Sequence, residues 1–377
     1  MSDLLELQTL GQAVWLDSIS RDLISSGELQ RRVSAGLRGL TSNPAIFEKA
    51  ITQSADYAEA IARHAHQGLE AKEIYEQLAI ADIREAADII RPVYESTSAA
   101  DGYVSLEVSP QLADDTAGTL AEARRLWREV DRPNLMIKVP GTVAGAPAVR
   151  DLIADGINVN VTLLFSRTAY ERVANAWLEG MEALAARHGD VKRLAGMASV
   201  ASFFVSRIDS AVDALIKQSV AAGAGAELSG VLGKAAIANA KLAYQFYRKL
   251  IAGERWTRLA ARGARPQRLL WASTSSKNPA YRDVVYVEEL IGADTVNTLP
   301  PATLDAFLDH GVANSTLDAG VDEARRHLEM LQRHGIALDA VTDRLLEEGI
   351  RQFAEAFDKL LAAVGDQAAA AKRAQTL

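Results

Sequence analysis

Eight short apolar runs rich in β-branched residues recur along the chain, and each is followed by a polar turn and a helical pattern. The runs lie at residues 13–17, 37–43, 102–109, 135–140, 157–165, 194–205, 268–274 and 295–300. Between them, apolar residues recur at three- and four-residue spacing, as in segments 115–130, 167–187 and 232–251. Strands that alternate with helices indicate a parallel sheet, and eight such units predict closure into a (β/α)8 TIM barrel.

An open doubly wound sheet is the alternative for the same alternation. Such a sheet carries a glycine-rich phosphate loop after its first strand, whereas the stretch AVWLDSISRDL at residues 13–23 has no glycine.

Segment 338–364 is typical of one long amphipathic helix outside the repeat, and an alanine-rich tail follows Val364. Because no proline- or serine-rich linker divides the chain, we expect a single domain over residues 1–377, with a helical insertion at about 208–267.

Composition excludes several kinds of site. The chain has no cysteine, which rules out thiolate nucleophiles, disulfides and cysteine-ligated metals. A net charge of −8 argues against a nucleic-acid partner. The histidines lie in or at the ends of helical stretches, at residues 64, 66, 188, 310, 327 and 334, so we expect no metal site. No apolar run approaches the ~20 residues of a membrane span, and the N-terminus lacks a basic leader, which favours a cytoplasmic protein without membrane contact.

In a barrel of this kind, the functional groups lie at the carboxyl ends of the strands. Lys138 interrupts the apolar run LMIKVP, on a strand that should be buried on both faces. A lysine there either points to solvent at the strand end or lies in a dry site, where it must be paired or lose its proton. In the second case the amine can attack a carbonyl and form a Schiff base, which needs no metal or external cofactor.

Two carboxylates occupy equivalent places, Asp17 on the first run and Glu107 on the third. Either could move protons for an imine-forming lysine. Alternatively, Asp17 caps the following helix and Glu107 is an exposed strand-end carboxylate. Asn43, before a proline, is either a turn residue or a site residue. Asn160, Thr162, Ser202 and Ser273 also fall at strand ends, and Thr162 and Ser202 could equally be satisfied core hydroxyls.

Two basic residues follow later strands, where phosphate sites of barrels are commonly formed. Arg207 comes soon after Ser202, and Lys277 follows Ser273. For Arg207, the alternative is an ordinary surface ion pair with Asp209 or Asp213, and Lys277 has a similar alternative. The sequence therefore predicts a basic, anion-binding end of the site within an acidic protein.

Seven stretches in order resemble the transaldolase family, from about residue 13 to residue 307. They are VWLDSISRDLI, GLTSNPAIFEKAI, VSLEVSPQLADDT, LMIKVPGTVAG, GINVNVTLLFS, ASFFVSRID and WASTSSKNPAYRD. The resemblance implies that Lys138 is the Schiff-base lysine and that Asp17 assists proton transfer at the cleaved carbon–carbon bond. It also implies that Glu107 works with Thr162 through an ordered water. The family's hydroxyl-binding residues correspond to Asn43, Asn160 and Ser202, its active-site phenylalanine to Phe204, and its main phosphate ligand to Arg207.

The resemblance also implies a reaction. A dihydroxyacetone unit would pass from a ketose phosphate, such as sedoheptulose 7-phosphate or fructose 6-phosphate, to an aldose phosphate, in the non-oxidative pentose phosphate pathway. One departure concerns the second phosphate contact, because many transaldolases have a serine and an arginine where this chain has STSSKNP with Lys277. A fructose 6-phosphate aldolase and a catalytically silent barrel are the competing hypotheses. Whether the chain is a monomer or a homodimer stays open.

Overall fold

The strands form one closed parallel barrel in sequence order, with the eighth strand paired to the first. This computed structural model describes residues 4–187, 191–223 and 225–375. The strands are β1 (Gln12–Asp17), β2 (Gly39–Thr41), β3 (Tyr103–Glu107), β4 (Leu135–Pro140), β5 (Val159–Leu164), β6 (Ser199–Phe204), β7 (Arg268–Ala272) and β8 (Thr295–Leu299). The predicted (β/α)8 barrel is confirmed, and the doubly wound sheet is wrong.

One predicted run extends too far. The run 194–205 contains β6, but Leu194 lies in the last turn of a short helix, Val191–Ala195, and a turn from Met197 N to Leu194 O separates that helix from the strand. Leu194 is fully buried because it faces the core from the helix. In a sequence, an apolar helix end directly before a buried strand is indistinguishable from an extension of the strand.

Helices surround the barrel between the strands. They are α1 (Leu4–Thr9), α2 (Arg21–Ser25), α3 (Glu28–Ser34), α4 (Pro44–Gln53), α5 (Ala58–His66), α6 (Ala71–Ser96), α7 (Thr116–Val130), α8 (Gly145–Ala154), α9 (Arg167–Arg187), α10 (Val191–Ala195), α11 (Ser206–Ala221), α12 (Ala235–Ile251), α13 (Glu254–Ala260), α14 (Val285–Glu288), α15 (Pro301–His310), α16 (Val321–Arg333) and α17 (Leu338–Gln375). Short 3-10 turns lie at Ala55–Tyr57, Pro110–Leu112 and Ala226–Val231. Among the described helices, none is long and apolar enough to cross a membrane.

The long C-terminal helix predicted over 338–364 is present as α17, and it continues through the alanine-rich tail to Gln375. Alanine has the highest helix propensity of all residues, and buried Val364 and Ala368 show that this part also packs against the protein. Helix α17 lies against α4, α5, α6 and α11, so it runs over elements that follow β2 and β6.

Large and small residues alternate inside the barrel. Trp15 on β1 is paired in register with Gly39 on β2, and a Cβ atom at Gly39 would lie 2.6 Å from the Trp15 ring. Trp15 therefore fills the space that the glycine leaves. Residues two apart on a strand share a face, so Asp17 and Thr41 lie one layer above this pair, towards the carboxyl ends of the strands.

Candidate active site

The buried amine of Lys138 is held by two groups at the carboxyl ends of neighbouring strands. Its Nζ lies 3.0 Å from Glu107 Oε2 and donates a hydrogen bond to the Ser42 carbonyl at 3.1 Å. The register of β3 and β4 makes Glu107 and Lys138 direct neighbours. Lys138 is only 4% exposed and Glu107 only 7%, so the solvent-facing alternatives for both residues are wrong.

Burial raises the pKa of the Glu107 carboxyl, and the charge of Lys138 opposes that rise. A second carboxyl, Asp17, adds to the rise, because two like charges near one lysine disfavour each other's ionised forms. The site is thus one amine near two carboxyl groups whose pKa values are both raised by burial.

Asp17 is oriented from β2. Thr41 Oγ1 donates to Asp17 Oδ1 at 2.7 Å, and the Thr41 hydroxyl lies 2.7 Å from that of Thr298 on β8. Burial raises the pKa of Asp17, while Lys138, the Thr41 hydrogen bond and Lys277 lower it. The helix-capping alternative for Asp17 is wrong, because the side chain of Ser20 caps α2.

Polar groups on β5 and β6 form a second cluster. Ser202 Oγ donates to Asn160 Oδ1 at 2.7 Å, and Asn160 Nδ2 donates to Ser105 Oγ at 3.0 Å. The Ser202 hydroxyl therefore has a hydrogen-bond partner inside the barrel, as expected if it is a satisfied core group. Thr162 Oγ1 is different: it is buried and has no hydrogen-bond partner among the described residues. A buried hydroxyl of this kind is normally satisfied by water or a ligand.

An irregularity in β5 follows Thr162. The pairing with β6 shifts register between Val161 and Leu164, and Leu163 has a left-handed backbone, with φ of 59°. Bulges commonly change the direction of a side chain next to an active site. The bulge affects the pairing with β6 directly beside Thr162, whereas on the other side Thr162 keeps regular register with Pro140 on β4.

A cavity of about 170 Å³ opens at this end of the barrel. Its lining includes most of the residues predicted from the sequence, namely Asp17, Asn43, Lys138, Thr162, Ser202, Phe204, Arg207, Ser273 and Lys277. Glu107 and Asn160 lie behind the lining, where they contact Lys138 and Ser202. Asn43 also accepts a hydrogen bond from Ile46 N and so caps α4, while its role as a site residue stays a prediction.

Arg207 lies in the first turn of α11 at one side of the cavity. Its guanidinium stands 5.7 Å from the Phe204 ring centroid, and Nη1 donates to Gln352 Oε1 at 2.8 Å. The predicted alternative of an ion pair with Asp209 or Asp213 is wrong. Burial lowers the pKa of Arg207, and Glu348 opposes that effect.

The two aspartates of α11 belong to another network. Asp209 accepts hydrogen bonds from Tyr286 Oη and Ala236 N, and it is 1% exposed. Asp213 accepts from Tyr281 Oη and Gly233 N. Both carboxylates are held by these partners, and among the described residues no carboxylate forms a hydrogen bond with the Arg207 guanidinium.

Lys277 supplies a second cation. Its Nζ donates to Ser275 Oγ at 2.7 Å, and burial together with the charge of Arg207 lowers its pKa. Two positive groups that disfavour each other at the edge of a cavity form a site that an anion would stabilise. Lys277 is also close enough to Asp17 for the two charges to interact.

Ser273 directly follows β7 and forms hydrogen bonds with Ser206, the first residue of α11. Its backbone is left-handed, with φ of 55°, which is a costly conformation for a residue with a side chain. In that conformation its carbonyl accepts a hydrogen bond from Ser206 N at 3.0 Å, and the two hydroxyls lie 3.1 Å apart. These contacts fix the residue that directly precedes Arg207.

Several cavity residues were not predicted. Thr41 and Thr298 line it, whereas the neighbouring Asn297 on β8 accepts a hydrogen bond from Thr274 Oγ1 at 2.9 Å and is not part of the lining. Strand alternation would have identified Thr298, because it lies opposite Trp15, on the inward face. Phe353 of α17 also lines the cavity, and its sequence context carries no such signal.

No group of three or more potential metal ligands occurs in segments 4–187, 191–223 and 225–375. His64 and His66 lie on α5, His310 ends α15, and His327 and His334 lie on and just after α16. His188 lies outside the described residues.

Comparison with known proteins gives a consistent result. The family model described as transaldolase/fructose-6-phosphate aldolase matches residues 14–364. A protein named Transaldolase 2 from Nostoc sp. strain PCC 7120 is 51% identical over 369 residues, which cover 96% of each chain. A transaldolase from Trichodesmium erythraeum is 50% identical over 95% of each chain. One from Thiobacillus denitrificans is 49% identical over 96% of this chain and 99% of that relative.

Proposed function

This chain belongs to the transaldolase/fructose-6-phosphate aldolase family and catalyses the transaldolase reaction, and we propose that Lys138 is the amine on which that reaction takes place. One observation carries the proposal: a buried amine, paired with one carboxyl group and close to another, lines a cavity that also holds two cations. The enzyme is a transferase that acts on sugar phosphates.

Lys138 Nζ attacks the ketone of sedoheptulose 7-phosphate or fructose 6-phosphate, and water leaves as the imine forms. Asp17 then takes the proton of the hydroxyl next to the breaking carbon–carbon bond. The electron pair of that bond moves into the imine, and an aldose phosphate departs. The three-carbon enamine on Lys138 adds to the aldehyde of glyceraldehyde 3-phosphate or erythrose 4-phosphate, and hydrolysis of the new imine releases the product.

Glu107 and Thr162 are suited to handling water in the first and last of these steps. Burial raises the pKa of Glu107, which makes its carboxylate a better proton acceptor, and the Thr162 hydroxyl has no hydrogen-bond partner among the described residues. Asn43, Asn160 and Ser202 hold substrate hydroxyls in this assignment, and Phe204 provides an apolar surface beside them.

Arg207 is the main phosphate ligand in this proposal, with Lys277 and Ser273 as further contacts. An arginine fork can hold a phosphate through two parallel hydrogen bonds, whereas a lysine acts as a point charge. The mutual repulsion of Arg207 and Lys277 supports the assignment, because a bound phosphate would relieve it.

Trapping tests the role of Lys138. Borohydride reduction in the presence of fructose 6-phosphate should attach a three- or six-carbon adduct to Lys138, located by peptide mass spectrometry. The Lys138→Ala variant should have no turnover and no adduct, whereas Lys277→Ala should retain the adduct. An unmodified Lys138 in protein that turns over would refute the assignment.

Acceptor dependence separates this function from that of a fructose 6-phosphate aldolase, which the same family model includes. The relatives at about half identity are named transaldolases, so we expect turnover to require an aldose phosphate acceptor. Rapid release of free dihydroxyacetone without an acceptor would favour the aldolase. Turnover below background would instead favour a silent barrel.

The proposal also covers the cellular compartment, the partners and the domain organisation of the enzyme. We place it in the cytoplasm, since the sequence has none of the cysteines that form the disulfides typical of secreted proteins. Its negative net charge disfavours nucleic acid as a partner. We treat the chain as one domain, because α17 packs on helices from two distant parts of the barrel. Light scattering would decide between monomer and homodimer.

A further inference from the structure

Helix α17 carries an aromatic side chain into the cavity from a part of the chain outside the barrel repeat. The Phe353 ring centroid lies 5.7 Å from Lys138 Nζ, and Phe353 is only 6% exposed. It lines the same cavity as Asp17 and Thr162. The amine that the reaction uses is thus covered on one side by an apolar ring.

The preceding residue contacts the basic end of the site. Gln352 Oε1 accepts the hydrogen bond from Arg207 Nη1 at 2.8 Å. Glu348, one turn earlier, also interacts with the Arg207 charge. One segment of α17 therefore reaches both the amine and the predicted phosphate ligand.

Packing fixes this segment against the barrel. A Cβ atom at Gly349 would lie 3.1 Å from a Leu163 methyl group, so the helix approaches the β5 bulge closely at that point. One turn after Phe353, the Phe357 ring meets Tyr75 edge-on at 5.5 Å, and Gln111 Nε2 donates to Asp358 Oδ1 at 3.0 Å. These contacts surround residues 349–358 and hold Phe353 in position.

We propose that α17 forms a wall of the active site in which Phe353 keeps water from the Lys138 adduct and Gln352 positions Arg207 for the substrate phosphate. The proposal rests on the function assigned above to Lys138 and Arg207. Phe353 is a specificity-determining residue, because it decides between transfer and hydrolysis. Gln352 is a positioning residue that acts through Arg207.

The role of Phe353 follows from two possible fates of the enamine on Lys138. In transfer, its carbon forms a bond with the acceptor aldehyde. In hydrolysis, the nucleophilic enamine carbon takes a proton instead, and water adds to the neighbouring iminium carbon. The carbon–nitrogen bond then breaks, so that dihydroxyacetone leaves and Lys138 regains its amine. Both fates end with hydrolysis of an imine, and they diverge where the enamine carbon takes either a proton or the acceptor aldehyde. An apolar ring that keeps proton-supplying water from that carbon therefore favours transfer.

Variants of Phe353 test this directly. The measurement is the ratio of free dihydroxyacetone released to sedoheptulose 7-phosphate formed, with fructose 6-phosphate and erythrose 4-phosphate as substrates. We expect Phe353→Ala to raise this ratio several-fold, Phe353→Val to raise it less, and Phe353→Leu to stay near the wild-type value. Phe307→Ala is the matched control, because it removes a fully buried phenyl ring of α15 that does not line the cavity.

A separate measurement tests Gln352. We expect Gln352→Ala to raise KM for fructose 6-phosphate several-fold with little change in kcat, and to leave kcat/KM for unphosphorylated fructose unchanged. Gln352→Glu should weaken phosphate binding as well, since a carboxylate would compete with the phosphate for Arg207. Arg351→Ala is the control, because that neighbouring side chain is exposed and pairs only with Glu355 among the described residues.

The outcomes separate this proposal from the function beneath it. If the wild-type enzyme gives no borohydride-trapped adduct at Lys138, the assigned function fails. If the adduct forms but Phe353→Ala and Phe353→Val leave the product ratio unchanged, the water-excluding role is refuted alone. Equal losses for phosphorylated and unphosphorylated sugars in Gln352→Ala would refute the positioning role. The Val and Leu variants keep the test informative should the Ala variant not fold.

Discussion

Removing one partner of the Lys138–Glu107 pair should destabilise the enzyme more than removing both. The two side chains are 6% and 3% exposed, and their charged atoms are 3.0 Å apart. At that separation, the attraction is about 5 to 6 kcal/mol with the effective dielectric constant of about 20 that suits protein sites. Breaking a buried pair from one side typically costs about 3 to 5 kcal/mol, because the remaining group is buried without a counter-charge.

The variants are Glu107→Gln, Lys138→Met and the combination of the two. A chain of 377 residues has an unfolding entropy of roughly 0.8 kcal/mol/K, so each single variant should lose about 4 to 6 °C in Tm. The double variant should melt above both single variants. Scanning calorimetry at one fixed scan rate measures all four proteins.

The pH dependence provides an internal check. Lys138 lowers the pKa of Glu107 against the effect of burial, so Lys138→Met should raise that pKa further. A carboxyl whose pKa is raised by folding stabilises most below its unfolded value of 4.5, and that stability is lost as pH rises through the folded pKa. The Tm deficit of Lys138→Met should therefore widen as pH rises above 4.5 and through the raised folded pKa of Glu107. A double variant whose loss equals the sum of the two single losses would refute the whole account.

Three further predictions concern the phosphate ligand, a buried aspartate and the interior of the barrel. Arg207→Ala should raise KM for fructose 6-phosphate by about 10- to 150-fold, which corresponds to the loss of a charged hydrogen bond of about 1.5 to 3 kcal/mol. If steady-state kinetics show no such rise, Arg207 is not the main phosphate ligand. Burial raises the pKa of Asp209 from 3.8 to about 7, so its contribution to stability is full below pH 3.8 and is lost as pH rises through about 7. Asp209→Asn should flatten the fall of Tm over that range, and identical pH profiles for variant and wild type would contradict this. Gly39→Ala should lower the free energy of unfolding by about 1 to 3 kcal/mol, because the added Cβ overlaps the Trp15 ring, whereas Gly230→Ala, with nothing within 4 Å, should be nearly neutral in the same denaturation assay.

The barrel was predictable because its strands are buried on both faces. A parallel strand such as LMIKVP must be apolar throughout, so a lysine within it stands out, and Lys138 is the residue that the structure places beside Glu107. Neighbouring strands pair in sequence order, which brings polar strand ends together without further information. The boundary of β6 was less predictable, because Leu194 is as buried as the strand that follows it.

Contacts between distant segments were not predictable. The partner of Arg207 is Gln352, and nothing near either residue in the sequence links them, whereas Asp209 and Asp213 offered nearby carboxylates. Both aspartates are occupied by tyrosine hydroxyls from the segment between β7 and β8. Phe353 belongs to an ordinary apolar stripe of a helix, and its place over Lys138 depends on where α17 crosses the barrel.

The position of α17 in the chain has a consequence for biosynthesis. Ribosomes make proteins from the N-terminus, and the last strand ends at Leu299 while α17 begins only at Leu338. All the strands, including those that bear Asp17, Glu107 and Lys138, are thus synthesised before Phe353. The reactive amine and its carboxyl partners therefore come from early segments of the nascent chain, and their apolar cover comes from a late one.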